Sequence, residues 1–282
     1  VSAAVKLSWS AAHLRGDEAA PVAQARGFWE IPVLFEDEHL LALDKPSGIL
    51  TSPDPAKPDR PDLMKLLHAG IADKKPWSRE RNLDYLNNAH TLDDETSGVI
   101  LLAKNKPAFI ALANLFSSQK VAEKYVALVC GQPAEESFEV DAKIAPHPVK
   151  LDLMRVDSRE GRQAKTKFEL LENFPRFGYA LLKCEPLTCR THQIRVHASH
   201  IGLKIVGDDL YGGKFLWLSR LKKDYRLKPG REERPLISRV ALHLEELVLP
   251  HPVTNESVTI KSEWPKDLKV ALKYLRQYSV SG

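Results

Sequence analysis

The chain has 282 residues, 43% hydrophobic and 28% charged, which is enough length for a sizeable core and the balance of an ordinary soluble globular protein. No apolar run approaches the roughly 20 residues that cross a bilayer, and residues 1 to 15 lack an apolar h-region, so neither a membrane protein nor a secretory leader is expected. A formal charge of +4 is too small to establish a nucleic-acid partner by itself, and Cys130, Cys184 and Cys189 stand in no metal or redox spacing, as in a reduced, cytoplasmic protein.

In chain order, residues 1–30 are Ala-rich and mixed in polarity, and read as an N-terminal extension that wraps or frays. Pro32–Glu36 and Leu40–Lys45 are strand-like runs around the turn formers Asp37-Glu-His, a hairpin by pattern, ending in Asp44-Lys-Pro-Ser-Gly48. After a proline-rich loop at 51–60, Leu63, Leu66 and Leu67 give Asp62–Gly70 helical spacing, and the charged stretch Asp73–Arg81 follows. Asp93, Asp94 and Glu95 then stand beside Thr96-Ser-Gly98 and lead into the apolar strand Val99–Ala103. Such a run favours a tight loop, and alone it reads as a solvated turn.

Lys106–Ser118 places Phe109, Leu112, Ala113 and Phe116 on one helical face, followed by a strand over Glu123–Gly131. Strands are predicted at Ser137–Ile144, Leu151–Val156, Gln163–Leu171 and Tyr179–Cys184, a helix at Thr191–Ile201, a strand at Ala241–Leu249 and a closing helix at Pro265–Gln277. Consecutive strands with few helices between them predict an α+β fold with an antiparallel or mixed sheet rather than a doubly wound parallel one. Residues 214–239 stand apart, with nine Lys/Arg against three acids and Phe215, Trp217 and Tyr225 interleaved. That composition suits a solvated insert and an RNA contact equally.

His90-Thr-Leu-Asp-Asp-Glu-Thr-Ser-Gly98 and Cys189-Arg-Thr-His-Gln-Ile-Arg-Val-His197, with Lys45-Pro-Ser-Gly48 and Lys124-Tyr-Val-Ala-Leu-Val129, resemble the RluA family of RNA pseudouridine synthases from about Pro32 to about Pro265. The resemblance implies the pseudouridine synthase fold, a long, mostly antiparallel mixed sheet flanked by helices with a central cleft, for a catalytic domain at 31–282 with the basic insert at 214–239. It implies an isomerase that turns uridine into pseudouridine in ribosomal or transfer RNA, with no cofactor, nucleotide or metal and no membrane partner; the sequence is silent on oligomeric state, with a monomer the default.

By the same resemblance Asp93 is the catalytic carboxylate, Arg195 the cation that keeps it ionised and aims it, and Tyr125 the ring that stacks on the extruded uracil and handles protons. Arg190, His192, Gln193, Lys45 and Thr91 are the expected RNA-binding or positioning residues, while His197 and His200 are expected to pack or cap. Thr91 departs from the family, which has an arginine there that fills the space left by the flipped base. Three consequences are open: another residue takes over, the substrate site is already unstacked, or the chain binds RNA without turnover. Cys189 replaces a family glycine, a milder change.

Overall fold

The computed structural model describes residues 3–10, 26–55, 57–58, 60–150, 152–228 and 230–279. The chain divides into two compact units, the first Val1–Val121 with Leu247–Ser262, the second Ala122–Glu246 with Glu263–Gly282.

In the first unit, part of the expected extension is a strand: β1 (Ala4–Ser10) pairs antiparallel with β2 (Arg26–Glu36), and Val5 and Leu7 are buried in the core. The extension's remaining residues from 11 to 25 lie outside the described residues. The predicted hairpin joins β2 to β3 (Leu40–Lys45), closed by Asp37, whose Oδ1 accepts from the backbone N–H of His39 and Leu40 at 2.7 Å each.

Helix α1 (Leu63–Ala72) starts where the Asp62 side chain accepts from Lys65 N–H at 2.7 Å, and a short α2 (Pro76–Arg79) places Trp77 under it. After β4 (Asn87–Asn88), β5 (Ser97–Ala103) is buried along its whole length and pairs with β3 and β4. A strand covered on both faces reads as an unbroken apolar run, which is why Val99–Ala103 shows no alternation. The α3 helix (Lys106–Ser117) is capped by Asn105 with Pro107 in its first turn. Leu41, Leu43, Ile49, Leu63, Leu67 and Ile100 meet in one core, each burial contributing about 1.5–3 kcal/mol.

The second unit runs from β6 (Ala122–Cys130) through β7 (Ser137–Asp141), β8 (Ile144–Pro146), β9 (Met154–Val156), β10 (Lys165–Phe174) and β11 (Tyr179–Pro186). Their order is β6-β11-β10-β7, antiparallel throughout, with β8 and β9 as a separate hairpin. The predicted strand Ser137–Ile144 is thus two. Its first part pairs with β10, and its last residue turns to pair with β9.

Helix α4 (Gln193–His200) follows, two residues shorter at its start than the pattern predicts, because His192 takes a left-handed backbone at φ 54°. β12 (Lys204–Ile205) pairs with β6, and α5 (Leu218–Leu221) is the helical turn within the basic insert. In β13 (Leu242–Pro250) the chain passes back to the first unit, where β14 (Ser257–Lys261) pairs with it. The closing helix α6 (Lys266–Ser279) returns to the second unit and buries Leu268, Ala271, Leu272 and Leu275, the i, i+3, i+4, i+7 face of an amphipathic helix. The pairing is mostly antiparallel with helices alongside, the expected α+β class. No helix among the described residues is long and apolar enough to cross a membrane.

Candidate active site

Asp93 lies half-buried in the loop between β4 and β5 of the first unit, and the backbone around it is fixed from several sides. Lys45, at the end of β3, is fully buried. Its ammonium donates to the carbonyl oxygens of Thr96 at 2.9 Å, Pro46 at 3.1 Å, Asp93 at 3.2 Å and Asp94 at 3.4 Å. A buried ammonium is tolerable only when its donors are met, and here main-chain dipoles of the loop meet them.

Gly48 N–H donates to the Asp94 carbonyl at 2.6 Å from a backbone at φ 86°, a conformation that favours glycine. Thr51 Oγ1 donates to the Leu92 carbonyl at 2.8 Å and accepts from Leu92 N–H at 3.0 Å. Thr96 N–H closes the turn onto the Asp93 carbonyl at 3.1 Å.

His90 anchors the other end. Its Nε2 accepts from Leu101 N–H of β5 at 3.0 Å, and its ring stacks on Phe116 of α3 with centroids 4.7 Å apart. Accepting from an amide requires the neutral ring at that nitrogen, and burial pushes its pKa down to about 4. Asp94, expected to face solvent, is half-buried and pairs with Arg60 at 3.3 Å. Thr91 is exposed.

Lys45 was expected among RNA-binding residues, and the structure gives its charge a different occupation. The side chain is sealed beneath the Asp93 loop, where no phosphate reaches it without undoing those bonds. Its geometry is that of a support under the Asp93 loop.

Tyr125 and Arg195 belong to the second unit. Arg195 on α4 is 3% exposed, and its Nε and Nη2 grip Oδ2 and Oδ1 of Asp208, each at 2.8 Å. This bidentate fork fixes the guanidinium in plane, and the Tyr211 ring lies over it at 5.1 Å from ring centroid to Cζ. The Tyr211 hydroxyl in turn lies 2.8 Å from His192 Nδ1 and accepts from Met154 N–H at 3.0 Å.

Asp208 and Tyr211 had no assigned role, although Gly207-Asp-Asp-Leu-Tyr-Gly212 stands out in the sequence. Nothing in that string tells buried Asp208 from exposed Asp209. Tyr125 is 8% exposed on β6, opposite Cys184 of β11. Its hydroxyl donates to Glu123 Oε1 at 3.4 Å, and burial pushes the Glu123 carboxyl up to about 7.

Gln193, expected to reach RNA or to position the site, is buried. Its amide donates to the Lys165 carbonyl and to Thr166 Oγ1, both at 3.0 Å, and its oxygen accepts from Thr188 Oγ1 at 2.8 Å. These bonds tie α4 to β10 and consume the polar capacity that an RNA contact would use. Arg190 and His192 precede the helix and are half-buried, with Arg190 Nη1 on the Cys189 carbonyl at 2.7 Å. His197 packs as expected, its ring between Thr166 Oγ1 and the Ala142 carbonyl at 2.8 Å each. Cys189 has no left-handed backbone, so the glycine of the family pattern is not required there. No metal-binding cluster of His, Cys, Asp or Glu occurs among the described residues.

Residues 39–200 match the family model described as RNA pseudouridylate synthase. A Xanthomonas campestris pv. campestris protein named ribosomal large subunit pseudouridine synthase D is 36% identical over 251 residues, covering 88% of this chain and 70% of that one. A Pseudomonas aeruginosa protein of the same name is 33% identical over 261 residues, covering 90% and 76%. The solved human RNA Pseudouridylate Synthase Domain Containing 4 shares the fold, with a TM-score of 0.63 at 24% identity over 86% of this chain and 92% of that one.

Proposed function

The chain belongs to the RNA pseudouridylate synthase family, and from that premise we propose that it isomerises uridine to pseudouridine in large-subunit ribosomal RNA, with Asp93 as its catalytic carboxylate. The RNA class is taken from the names of the Xanthomonas and Pseudomonas relatives. The observation that carries the role of Asp93 is the fixation of its loop. A carboxylate on a backbone held by Lys45, Gly48 and Thr51 is aimed before substrate arrives, and a carboxylate at the sugar is what the reaction needs.

In this reaction the N1–C1′ bond breaks, the uracil turns, C5 bonds to C1′, and the C5 hydrogen leaves as a proton while N1 regains one. Atoms and electrons balance with no redox partner. Asp93 serves as nucleophile at C1′ or base at C2′. In the same reading Arg195, held in plane by Asp208, supplies the charge that keeps the carboxylate ionised, and Tyr125 carries the stacking ring and a hydroxyl for proton movement. Arg190 and His192 contact the RNA backbone, Lys45 and Gln193 position the loop and α4, and Thr91 faces the space beside the extruded base. The catalytic domain takes in β1 and the whole of β2, ahead of the expected boundary at 31, and acts as a monomer in the cytoplasm.

Tritium release from RNA labelled at uridine C5 tests this, with ribosomal and transfer RNA pools lacking the modification. Wild type is expected to release label from ribosomal RNA, and Asp93→Asn to bind the same RNA without release. Full activity in Asp93→Asn overturns the assignment of that residue. RNA binding without release by wild type moves the reading to a relative that has lost turnover, the outcome that exposed Thr91 in place of arginine favours.

A further inference from the structure

The insert 214–239 carries nine Lys/Arg against three acids, a surplus of six positive charges, while the whole chain has a surplus of four. The rest of the protein is therefore net negative, and the basic character is concentrated in this one segment.

The segment is also anchored. Gly207 N–H donates to the Lys214 carbonyl at 3.2 Å and Leu236 N–H to the Leu216 carbonyl at 2.8 Å, which ties the two ends together. Leu216, Leu221 and Ile237 are buried beneath it. Arg239 is held at the exit by Asp267 of α6, at 2.8 and 2.9 Å. Lys214, Arg220, Lys222, Lys223, Arg226, Lys228, Arg231 and Arg234 are all exposed, and none is ion-paired with a carboxylate among the described residues. A segment folded onto its own apolar anchors, with its cations directed to water and unneutralised, suits a polyanion better than a merely solvated loop.

Its root gives it a place. Gly213 N–H donates to the Asp208 carbonyl at 2.8 Å, and Asp208 is the residue whose carboxylate grips Arg195. The insert thus leaves the fold from the turn that fixes this arginine.

The geometry points to the insert as the phosphate-backbone contact for the RNA flanking the target uridine, supplying sequence-independent affinity beside Arg195. This deepens the proposed function and rests on it for the identity of the polyanion. Such a contact holds substrate and transition state alike, so it acts on KM and leaves kcat in place.

The test is a variant with Lys222→Ala, Lys223→Ala, Arg226→Ala and Lys228→Ala, compared with one that removes Lys106, Lys120, Lys150 and Lys261, exposed cations elsewhere. Binding to an unmodified large-subunit ribosomal RNA transcript is measured by filter retention from about 50 to 200 mM salt, and tritium release is followed on the same RNA. For the insert variant KM is expected to rise roughly tenfold or more with kcat within about twofold, and the slope of log affinity against log salt to flatten by about 3. The control variant is expected to lose much less on both counts.

An unchanged KM and slope in the insert variant, or equal losses in the control, overturns the proposal. If the insert variant's thermal midpoint falls, Arg220→Gln with Arg231→Gln and Arg234→Gln repeats the test from the other exposed cations. Should wild type bind but release no tritium, the catalytic reading fails, and the salt slopes still decide the role of the insert.

Discussion

At the scale of the residue, the largest surprise is Asp208. It is fully buried, and its carboxylate meets the Arg195 guanidinium at 2.8 Å out of water. Removing one partner of a buried ion pair costs about 3–5 kcal/mol. Asp208→Asn is thus expected to lower the urea midpoint and, through Arg195, to reduce kcat. Arg195→Lys keeps the charge but loses the two-pronged grip, and is expected to lose activity in the tritium assay with a smaller fall in stability.

Two other groups set opposite pH dependences. His90 is buried neutral, so the unfolded chain takes up its proton first as pH falls. Its contribution is present above about 6.5, is lost as pH falls toward about 4, and is worth at most about 3 kcal/mol. Glu123 is shifted upward, so its contribution is full below about 4.5 and is lost as pH rises through about 7, again at most about 3 kcal/mol. Urea unfolding of His90→Gln should show a flatter stability profile than wild type between those lower limits. Glu123→Gln should be more stable than wild type at pH 8 and no more stable at pH 4.

At the scale of the element, the sequence reads well where a single period rules. The helices at α1, α3 and α6 sit within a few residues of their predicted spans, because apolar spacing and the caps Asp62 and Asn105 are local signals. The motif singled out Asp93, but it did not show how its loop is held. Lys45 lies 48 residues away, and a lysine before proline and glycine looks like a surface turn until the chain folds over it. Nor could the sequence choose between the two roles open to Gln193, since its partners Lys165 and Thr166 lie on a distant strand.

Lys45→Met removes the ammonium from four loop carbonyls. We expect a loss of stability of about 1–3 kcal/mol by thermal unfolding, and a fall in kcat larger than any rise in KM. Gly213 is equally exacting, since a Cβ there would stand 1.8 Å from the Ile205 carbonyl oxygen. Gly213→Ala should therefore displace the Asp208 turn and reproduce the loss expected of Asp208→Asn.

At the scale of the whole molecule, the α+β class was legible because short strands follow one another with few helices between them. The strand β1 was not, since an Ala-rich start carries little period and its partner lies beyond the undescribed residues. Overall charge was equally uninformative, because a surplus of four conceals a basic segment against an acidic remainder. The three thiols differ as well. Burial pushes the Cys184 thiol far up, and that of Cys130 up, while Cys189 is exposed. Native alkylation followed by peptide mass mapping should label Cys189 first and leave Cys184 unlabelled until the protein is unfolded.

The clamp under the Asp93 loop also bears on how this chain tolerates change. Lys45 and Gly48 hold residues 93, 94 and 96 by carbonyl oxygens, and every amino acid presents the same carbonyl. None of these carbonyl bonds depends on which side chain stands at 94 or 95, although Asp94 also reaches Arg60 through its own carboxylate. A substitution or a grafted spectroscopic probe at 95, two residues from Asp93, therefore leaves the carbonyl clamp on the loop intact.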